Sequence, residues 1–222
     1  YVETVQELLQ VIAAHASEAH LNIGGHCASA EPVYFLNTTP IDSVCVGEAE
    51  KTVSDLLECV TNGFGLYSID GIAYRKDKRI VETERRKLIR DLDSIPFPAY
   101  ELFDMEKYST ALHIWGQEKG DRCIGFTSSR GCVGECSFCQ RLEKGVRFRS
   151  AENVVDEMEM LWNEWGITGY FLYDEMFVGS KDRLRRIKQE LDDRGMRIKF
   201  SANARVDGLT QEKMGLLKEM GC

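Results

Sequence analysis

The chain has 222 residues, of which 43% are hydrophobic and 29% are charged, and its formal net charge is −8. This composition is typical of a globular protein with a buried core, arranged as one large domain or two smaller ones. The negative charge argues against a broad nucleic-acid-binding face, and we expect no nucleic-acid partner. No apolar run reaches the length of a membrane span, and nothing at the start resembles a signal peptide.

Three of the eight cysteines are clustered and the other five are scattered. In a chain without a secretory signal, this distribution indicates free thiols in a reducing compartment rather than a disulfide framework. We therefore expect a cytoplasmic protein. The chain starts at Tyr1 and ends at Cys222 without a tail, and we expect that both ends of a longer protein are missing.

The first 65 residues alternate between helical and strand patterns. A helix is predicted at 2–15, followed by a short strand that breaks at Gly24-Gly25, a strand at 42–46 and a helix that ends near Gly63. This alternation predicts a parallel sheet. One face of the first helix is apolar and consists of Val2, Val5, Leu8, Leu9 and Ile12.

Residues 66–120 have a different character. A small hairpin is predicted at 71–84, turning at residues 76–78. The segment 90–108 holds two of the four prolines, each of which favours extended backbone at the residue before it. We predict that 66–120 is a connector between one domain at 1–65 and another at 121–222.

Three strand–helix units are predicted from Arg122 onward, with strands in the segments 123–129, 168–177 and 197–205. Helix caps are predicted at Ser150, Ser180 and Thr210, and helix stops at Gly166 and Gly195. The spacing suits parallel strands joined by helical crossovers.

The segment SSRGCVGECSFCQR, at 128–141, contains the clustered cysteines Cys132, Cys136 and Cys139. Metal-bound cysteines are thiolates, which repel one another unless a cation neutralises them. A structural zinc site normally needs four ligands, and no second closely spaced cysteine pair exists in the sequence. Three thiolates can instead hold three irons of a 4Fe–4S cluster and leave the fourth iron open. A zinc site completed by a histidine such as His113 is the alternative.

The pattern Cys132-x-x-x-Cys136-x-Phe138-Cys139 resembles the CxxxCxφC signature of the radical S-adenosylmethionine enzymes. The resemblance implies a partial (βα)6 barrel, of which 121–222 would be the first half, and a 4Fe–4S cluster on the three cysteines. It also implies S-adenosylmethionine chelated at the open iron, its one-electron cleavage to a 5′-deoxyadenosyl radical, and an electron donor such as flavodoxin or ferredoxin.

The resemblance also implies which residues contact S-adenosylmethionine. The candidates are Phe138 for the adenine, Asp174 and Glu175 for the amino end, and Ser201, Asn203 and Arg205 for the carboxylate or ribose. Solvated acids at a strand end, and a surface salt bridge at Arg205, are the structural alternatives. The basic residues near the cysteines are interpreted as a solvated face and are Arg141, Lys144, Arg147 and Arg149.

The segment 23–53 resembles the later part of the cobalamin-binding domain that precedes the radical domain in one large subfamily. The matching residues, in the pattern D-x-V-x-x-G-E-x-E-x-T, are Asp42, Gly47, Glu48, Glu50 and Thr52. Gly24 and Gly25 would let the backbone approach a bulky ligand at the carboxyl end of a strand, and Glu48 is a further candidate contact. A lone histidine is seldom a ligand, so His26 is not assigned to cobalt. The expected fold is therefore α/β, the C-terminal part of a Rossmann-like cobalamin-binding domain followed by the first half of a radical S-adenosylmethionine barrel.

The resemblance implies a cobalamin-dependent enzyme of methyltransferase or cyclase type with a small-molecule substrate, in which the radical, and no side chain, removes the substrate hydrogen. A methylthiotransferase-like enzyme is the first alternative. Such enzymes carry a second cluster on three cysteines, for which Cys27, Cys45 and Cys59 are candidates, although scattered buried cysteines are ordinary core residues. A non-catalytic zinc or iron–sulfur protein is the second alternative.

Overall fold

A computed structural model of the chain describes residues 2–111, 118, 120–139 and 144–222. The chain divides into two compact units, Tyr1–Ile89 and Arg90–Cys222. The division at residues 65 and 120 stays a prediction. His113 and Arg141, named above as a possible zinc ligand and as part of a basic face, lie outside the described residues. Among the residues that are described, no helix combines the length and the apolar character that a membrane crossing needs.

The first unit packs helices against a mixed sheet. The helices are α1 (Val2–His15), α2 (His26–Ala30), α3 (Pro32–Thr38) and α4 (Glu50–Asn62). The strands are β1 (Asn22–Ile23), β2 (Ser43–Cys45), β3 (Ile72–Lys76) and β4 (Arg79–Glu82), in the spatial order β1-β2-β3-β4. The pair β1–β2 is parallel, as the sequence predicts.

The predicted hairpin is confirmed, and it belongs to the first unit. Asp77 and Lys78 have φ of 47° and 65°, which is the backbone of a two-residue hairpin turn. Strand β3 pairs antiparallel with both β2 and β4, so the hairpin extends the sheet. It therefore continues the first unit's sheet as well as leading into the following segment.

The first unit's core lies between α3 and the sheet, around Leu36, Ile41 and Val44, which are all fully buried. Helix α1 is confirmed, but its apolar face is buried only at Leu9, whereas Leu8 is 57% exposed. Helix periodicity predicts which residues share a face, and burial depends on what packs against that face.

The second unit contains a parallel sheet of alternating strands and helices. Its strands are β5 (Cys123–Phe126), β6 (Ser129–Arg130), β7 (Arg147–Phe148), β8 (Gly169–Leu172) and β9 (Lys199–Ala202). Its helices are α5 (Met105–Ala111), α6 (Ala151–Trp165), α7 (Lys181–Asp193) and α8 (Gln211–Glu219). Strands β5, β8 and β9 are parallel in that order, which confirms the three predicted βα units.

The predicted helix caps are confirmed in all three units. Ser150, Ser180 and Thr210 each accept a hydrogen bond from the backbone N–H three residues later, at 3.0, 3.2 and 3.3 Å. Gly166 ends α6 with φ of 66°, and Gly195, with φ of 65°, follows the end of α7. These helices cover a core that includes Tyr170, whose hydroxyl donates to the carbonyls of α6 and of the turn after it.

Candidate cofactor site

The cysteine segment starts and ends in one short antiparallel ladder at the carboxyl end of the parallel sheet. Strand β6 follows β5 after two residues and pairs with β7, so that the described residues 131–139 and 144–146 lie between two paired strands. We call β6 and β7, with the residues next to them, the outgoing and returning stems of the cysteine loop. Gly131 stands directly beyond β6 with φ of 82°, and an added Cβ there would lie 2.4 Å from the carbonyl oxygen of Gly145. The two stems therefore approach closely only because residue 131 is glycine.

Cys132 is partly buried in this loop, and Cys136 and Cys139 are exposed. None of the three is in a disulfide, and the N–H of Gly134 donates to Cys132 Sγ at 3.2 Å. Over the described ranges, no three His, Cys, Asp or Glu side chains converge on the position of a single metal ion. Three thiols on one loop provide the donor chemistry that an iron–sulfur cluster requires, and their role as its ligands stays a prediction.

Arg205 reaches the cysteine loop from the segment after β9. Its Nη1 lies 3.9 Å from Cys136 Sγ, and its guanidinium also pairs with Asp207 at 2.6 Å. The hydrogen bonds that Arg205 donates to the Asp207 carboxylate raise the pKa of Arg205, so this group stays cationic next to the thiols. Gly134 allows the approach, because an added Cβ would lie 2.3 Å from Arg205 Nη1 and 3.4 Å from Cys132 Sγ. The structure thus brings Arg205, one of the predicted S-adenosylmethionine contacts, next to Cys136 of the predicted cluster ligands.

The two acids after β8 differ in their surroundings. Asp174 is 1% exposed, whereas Glu175 is exposed. The Asp174 carboxylate accepts hydrogen bonds from Ser128 and Ser129, and Asn203 Nδ2 donates to its backbone oxygen at 3.3 Å. The structural alternative of two solvated acids is therefore wrong for Asp174.

Two further predicted contact residues are accessible at this end of the sheet. The Phe138 side chain is 90% exposed, and Ser201 is partly buried within β9. The prediction that they contact S-adenosylmethionine stays a prediction.

The predicted cobalamin contacts lie at the carboxyl ends of β1 and β2 in the first unit. Gly24 and Gly25 are exposed directly after β1, and Gly25 has φ of 93° with open space at its Cβ position. Glu48 follows β2, and its Oε2 accepts a hydrogen bond from the N–H of Ile89 at 2.8 Å. His26 is exposed at the start of α2. The geometry provides an open, glycine-lined edge here, and the assignment of these residues to a corrinoid stays a prediction.

A partly buried series of polar contacts that the sequence does not reveal crosses β1 and β2. Ser43 Oγ contacts His20 Nε2 at 2.8 Å and accepts from Asn22 at 2.7 Å, and Asn22 accepts from Cys45 Sγ at 3.4 Å. Burial raises the pKa of Cys45, so it is a neutral thiol of the core. Cys59 is also buried and Cys27 is exposed, and these three cysteines do not form a second metal-binding group in the described structure.

Arg149 is not part of a solvated face, which corrects the interpretation made from sequence. Its side chain is 12% exposed, and Nη1 pairs with the buried carboxylate of Glu157 at 2.5 Å. The other oxygen of Glu157 accepts from the hydroxyl of Tyr100 at 2.6 Å, and the guanidinium lies over Phe97 and Phe126. Lys144 is exposed and Arg147 is partly buried. A cation within an aromatic box and a buried carboxylate thus join the segment before α5 to helix α6.

This network predicts a stability change at high pH. Burial and the Glu157 charge raise the pKa of Tyr100, so the folded protein keeps Tyr100 neutral where the unfolded chain ionises it. Stability from this group is complete below pH ~10 and is lost as pH rises beyond that value, at up to ~1.4 kcal/mol per pH unit. The free energy of unfolding of the wild type minus that of Tyr100→Phe should therefore decrease from pH 10 to pH 11.5 in urea titrations. A constant difference would contradict it.

No family model matches the chain. Sequence comparison finds an uncharacterized methyltransferase, PH0819, of Pyrococcus horikoshii at 31% identity, with 90% of this chain and 43% of that protein covered. It also finds the cytidylyl-2-hydroxyethylphosphonate methyltransferase of Streptomyces wedmorensis at 26% identity, with 99% of this chain and 46% of that protein covered. The chain thus spans less than half the length of these curated relatives.

Solved structures show the same fold. The cobalamin-dependent S-adenosylmethionine radical enzyme OxsB, solved with aqua-cobalamin and S-adenosylmethionine, superposes with a TM-score of 0.77 at 21% identity, covering 98% of this chain and 32% of that one. The radical S-adenosylmethionine methyltransferase TsrM of Kitasatospora setae, solved with cobalamin and a [4Fe-4S] cluster, gives a TM-score of 0.75 at 20% identity, covering all of this chain and 43% of that one. The expected α/β fold is confirmed: the chain is similar in sequence to proteins named as methyltransferases and shares its fold with cobalamin-dependent radical S-adenosylmethionine enzymes.

Proposed function

We propose that the chain is part of an enzyme that uses a 4Fe–4S cluster to cleave S-adenosylmethionine reductively, in a cobalamin-dependent methyl transfer or cyclisation. The observation that carries the proposal is the loop of three thiols at the carboxyl end of β5, β8 and β9, which Arg205 contacts. Relatives named as methyltransferases and cyclases support this reaction class. A one-electron donor such as flavodoxin or ferredoxin in a reducing, cytoplasmic environment is part of the proposal.

Cys132, Cys136 and Cys139 would hold the cluster, because thiolates are its ordinary ligands and three of them leave one iron open. When bound, the cluster supplies the electron that breaks a carbon–sulfur bond of S-adenosylmethionine. The chain's own residues bind and orient. Arg205 is a planar cation suited to a carboxylate, and its pairing with the exposed Asp207 is one that a ligand carboxylate can replace.

The other predicted contacts are assigned by accessibility. Glu175 is exposed after β8, where its carboxylate can accept hydrogen bonds from a ligand amino group, and the exposed Phe138 ring can cover an adenine. In the first unit, Gly24 and Gly25 would let the backbone contact a corrinoid without a side chain in between.

The proposal predicts that Cys136→Ala eliminates the iron–sulfur cluster. After anaerobic reconstitution with iron and sulfide, the wild-type chain should hold about four irons, as a 4Fe–4S cluster requires. Dithionite reduction should give an electron paramagnetic resonance signal that changes when S-adenosylmethionine is added. Cys27→Ala, a change at an exposed cysteine of the first unit, should leave iron content and signal unchanged.

Other outcomes distinguish the alternatives. A silent sample that holds stoichiometric zinc would refute the enzyme and indicate a structural metal site. Loss of iron in Cys27→Ala would favour a second cluster and a methylthiotransferase-like enzyme. Binding of hydroxocobalamin, followed by visible absorption, would separate the proposed enzyme from that alternative.

A further inference from the structure

The carboxylate of Asp174 is already occupied by hydrogen bonds from the protein itself. Its Oδ1 accepts from the Ser128 N–H at 2.9 Å, from the Ser128 hydroxyl at 3.2 Å and from the Ser129 hydroxyl at 2.5 Å. Asp174 is 1% exposed, so a cofactor could reach the carboxylate only after these bonds break. Both serines stand between β5 and the first cysteine, which places the stem of the cysteine loop directly on Asp174.

Arg183, near the start of α7, holds the same serine from the other side. Its Nη2 donates to the Ser128 hydroxyl at 2.9 Å and to the Ser128 carbonyl at 3.2 Å. The guanidinium lies over the ring of Phe148 at 4.8 Å, and Phe148 is in the returning strand β7. Burial lowers the pKa of Arg183 to about 10, against the opposing influence of the Asp174 charge. Ser128 thus connects the buried carboxylate of Asp174 to the partly buried guanidinium of Arg183.

The contacts of Asp174 and Arg183 reach both strands at the base of the cysteine loop, β6 and β7. The outgoing stem is fixed through Ser128 and Ser129, and the returning stem is fixed because Ser129 pairs with Phe148 and the N–H of Arg149 donates to the Ser128 carbonyl at 3.0 Å. The Asp174 side chain is buried and follows β8, and the partly buried Arg183 side chain belongs to α7.

We propose that Asp174 and Arg183 are positioning residues that anchor the base of the cysteine loop to the sheet, and that Asp174 does not contact S-adenosylmethionine. The role of the loop as the cluster-binding segment rests on the function proposed above. The anchor itself is a property of the chain without any cofactor. Without it the three thiols would still be present, but their loop would no longer be held in one place relative to Arg205.

The experiment compares Asp174→Ala, Asp174→Asn and the matched control Glu175→Ala, an exposed acid one residue away. In the cofactor-free chain, amide hydrogen exchange at Ser128 and Arg149 should accelerate at least about tenfold in Asp174→Ala, because the loss of hydrogen bonds to a charged group permits local opening. Asp174→Asn, which keeps an acceptor oxygen, should give an intermediate rate. Glu175→Ala should leave the exchange unchanged.

Reconstitution gives a second readout. In Asp174→Ala the iron content should fall, while the fraction of chains that hold a cluster should bind S-adenosylmethionine with an affinity within about twofold of the wild type. Unchanged exchange in Asp174→Ala, or normal iron content with a loss of S-adenosylmethionine affinity of about tenfold or more, would overturn the proposal.

The anchor can still be tested if Asp174→Ala does not fold or if the wild type forms no cluster. Should Asp174→Ala not fold, Ser129→Ala removes one donor and retains the buried charges, and it should still accelerate exchange at Ser128 and Arg149, whereas an unchanged rate would overturn the anchor. Should the wild type form no cluster, the proposed function fails while the exchange experiment still tests the anchor.

Discussion

Replacing Glu157 by alanine is expected to lower the free energy of unfolding of the second unit by about 3–5 kcal/mol. Glu157 is 1% exposed and accepts hydrogen bonds from both Arg149 and Tyr100. Without its carboxylate, Arg149 becomes a buried cation without an anionic partner, and the Tyr100 hydroxyl loses its acceptor. Burying an uncompensated charge costs much more free energy than the pair contributes relative to an apolar replacement.

Chemical denaturation followed by tryptophan fluorescence measures this change, because Trp162 and Trp165 are on the same helix as Glu157. The matched control is Glu159→Ala. Glu159 also pairs with an arginine, Arg194, but its side chain is 43% exposed, and the loss should stay below about 1 kcal/mol. Equal losses in the two variants would show that burial does not determine the energetics of the Glu157 pair.

The sequence predicted elements whose signals are local. Serine or threonine at a cap and glycine at a stop each act within one helical turn, so α6, α7 and α8 could be placed from Ser150, Ser180 and Thr210. Helices α2 and α3 were not predicted, although Pro32 at the first position of α3 is a start signal. At five and seven residues they are too short to show a periodic pattern.

Contacts between residues that are distant along the chain have no comparable local signal in the sequence. Strands β6 and β7 have two residues each and meet across a 16-residue segment, so neither alternation nor a turn motif marks them. The burial of individual charged residues is equally hard to predict from the local sequence. Asp174 follows a strand end and Arg149 follows a basic stretch, and both positions resemble solvated ones in the sequence. Only the packing of β8, α6 and α7 places the two charges inside the fold.

The cysteine pattern was informative because a metal-binding signature is contiguous in the chain. It located the loop of Cys132, Cys136 and Cys139 and predicted the fold that the chain shares with the solved structures. The sequence did not show what holds the loop in place, since Ser128, Ser129 and Arg183 are separated along the chain and are of ordinary types. The support of a site is therefore harder to predict than its ligands.

Replacing Gly131 by alanine is expected to open the base of the cysteine loop. An added Cβ would lie 2.4 Å from the carbonyl oxygen of Gly145, and because that neighbour is backbone, the two stems must separate. The residue also has φ of 82°, which alone costs an L-amino acid about 1–2 kcal/mol. We expect local opening to become easier by at least about 2 kcal/mol in total, or at least about thirtyfold faster amide exchange at Arg149, whose N–H donates to the Ser128 carbonyl.

Gly145→Ala is the matched control across the same gap. Gly145 has φ of 86°, almost the same as Gly131, but its Cβ position has nothing within 4 Å. It should therefore show only the conformational cost of about 1–2 kcal/mol, with exchange about five- to thirtyfold faster. Iron content after reconstitution should follow the same order, falling further in Gly131→Ala than in Gly145→Ala. Equal exchange rates in the two variants would mean that backbone conformation, and not the contact between the stems, limits opening of the loop, so that the close approach of Gly131 to Gly145 would not be what keeps the thiols in place.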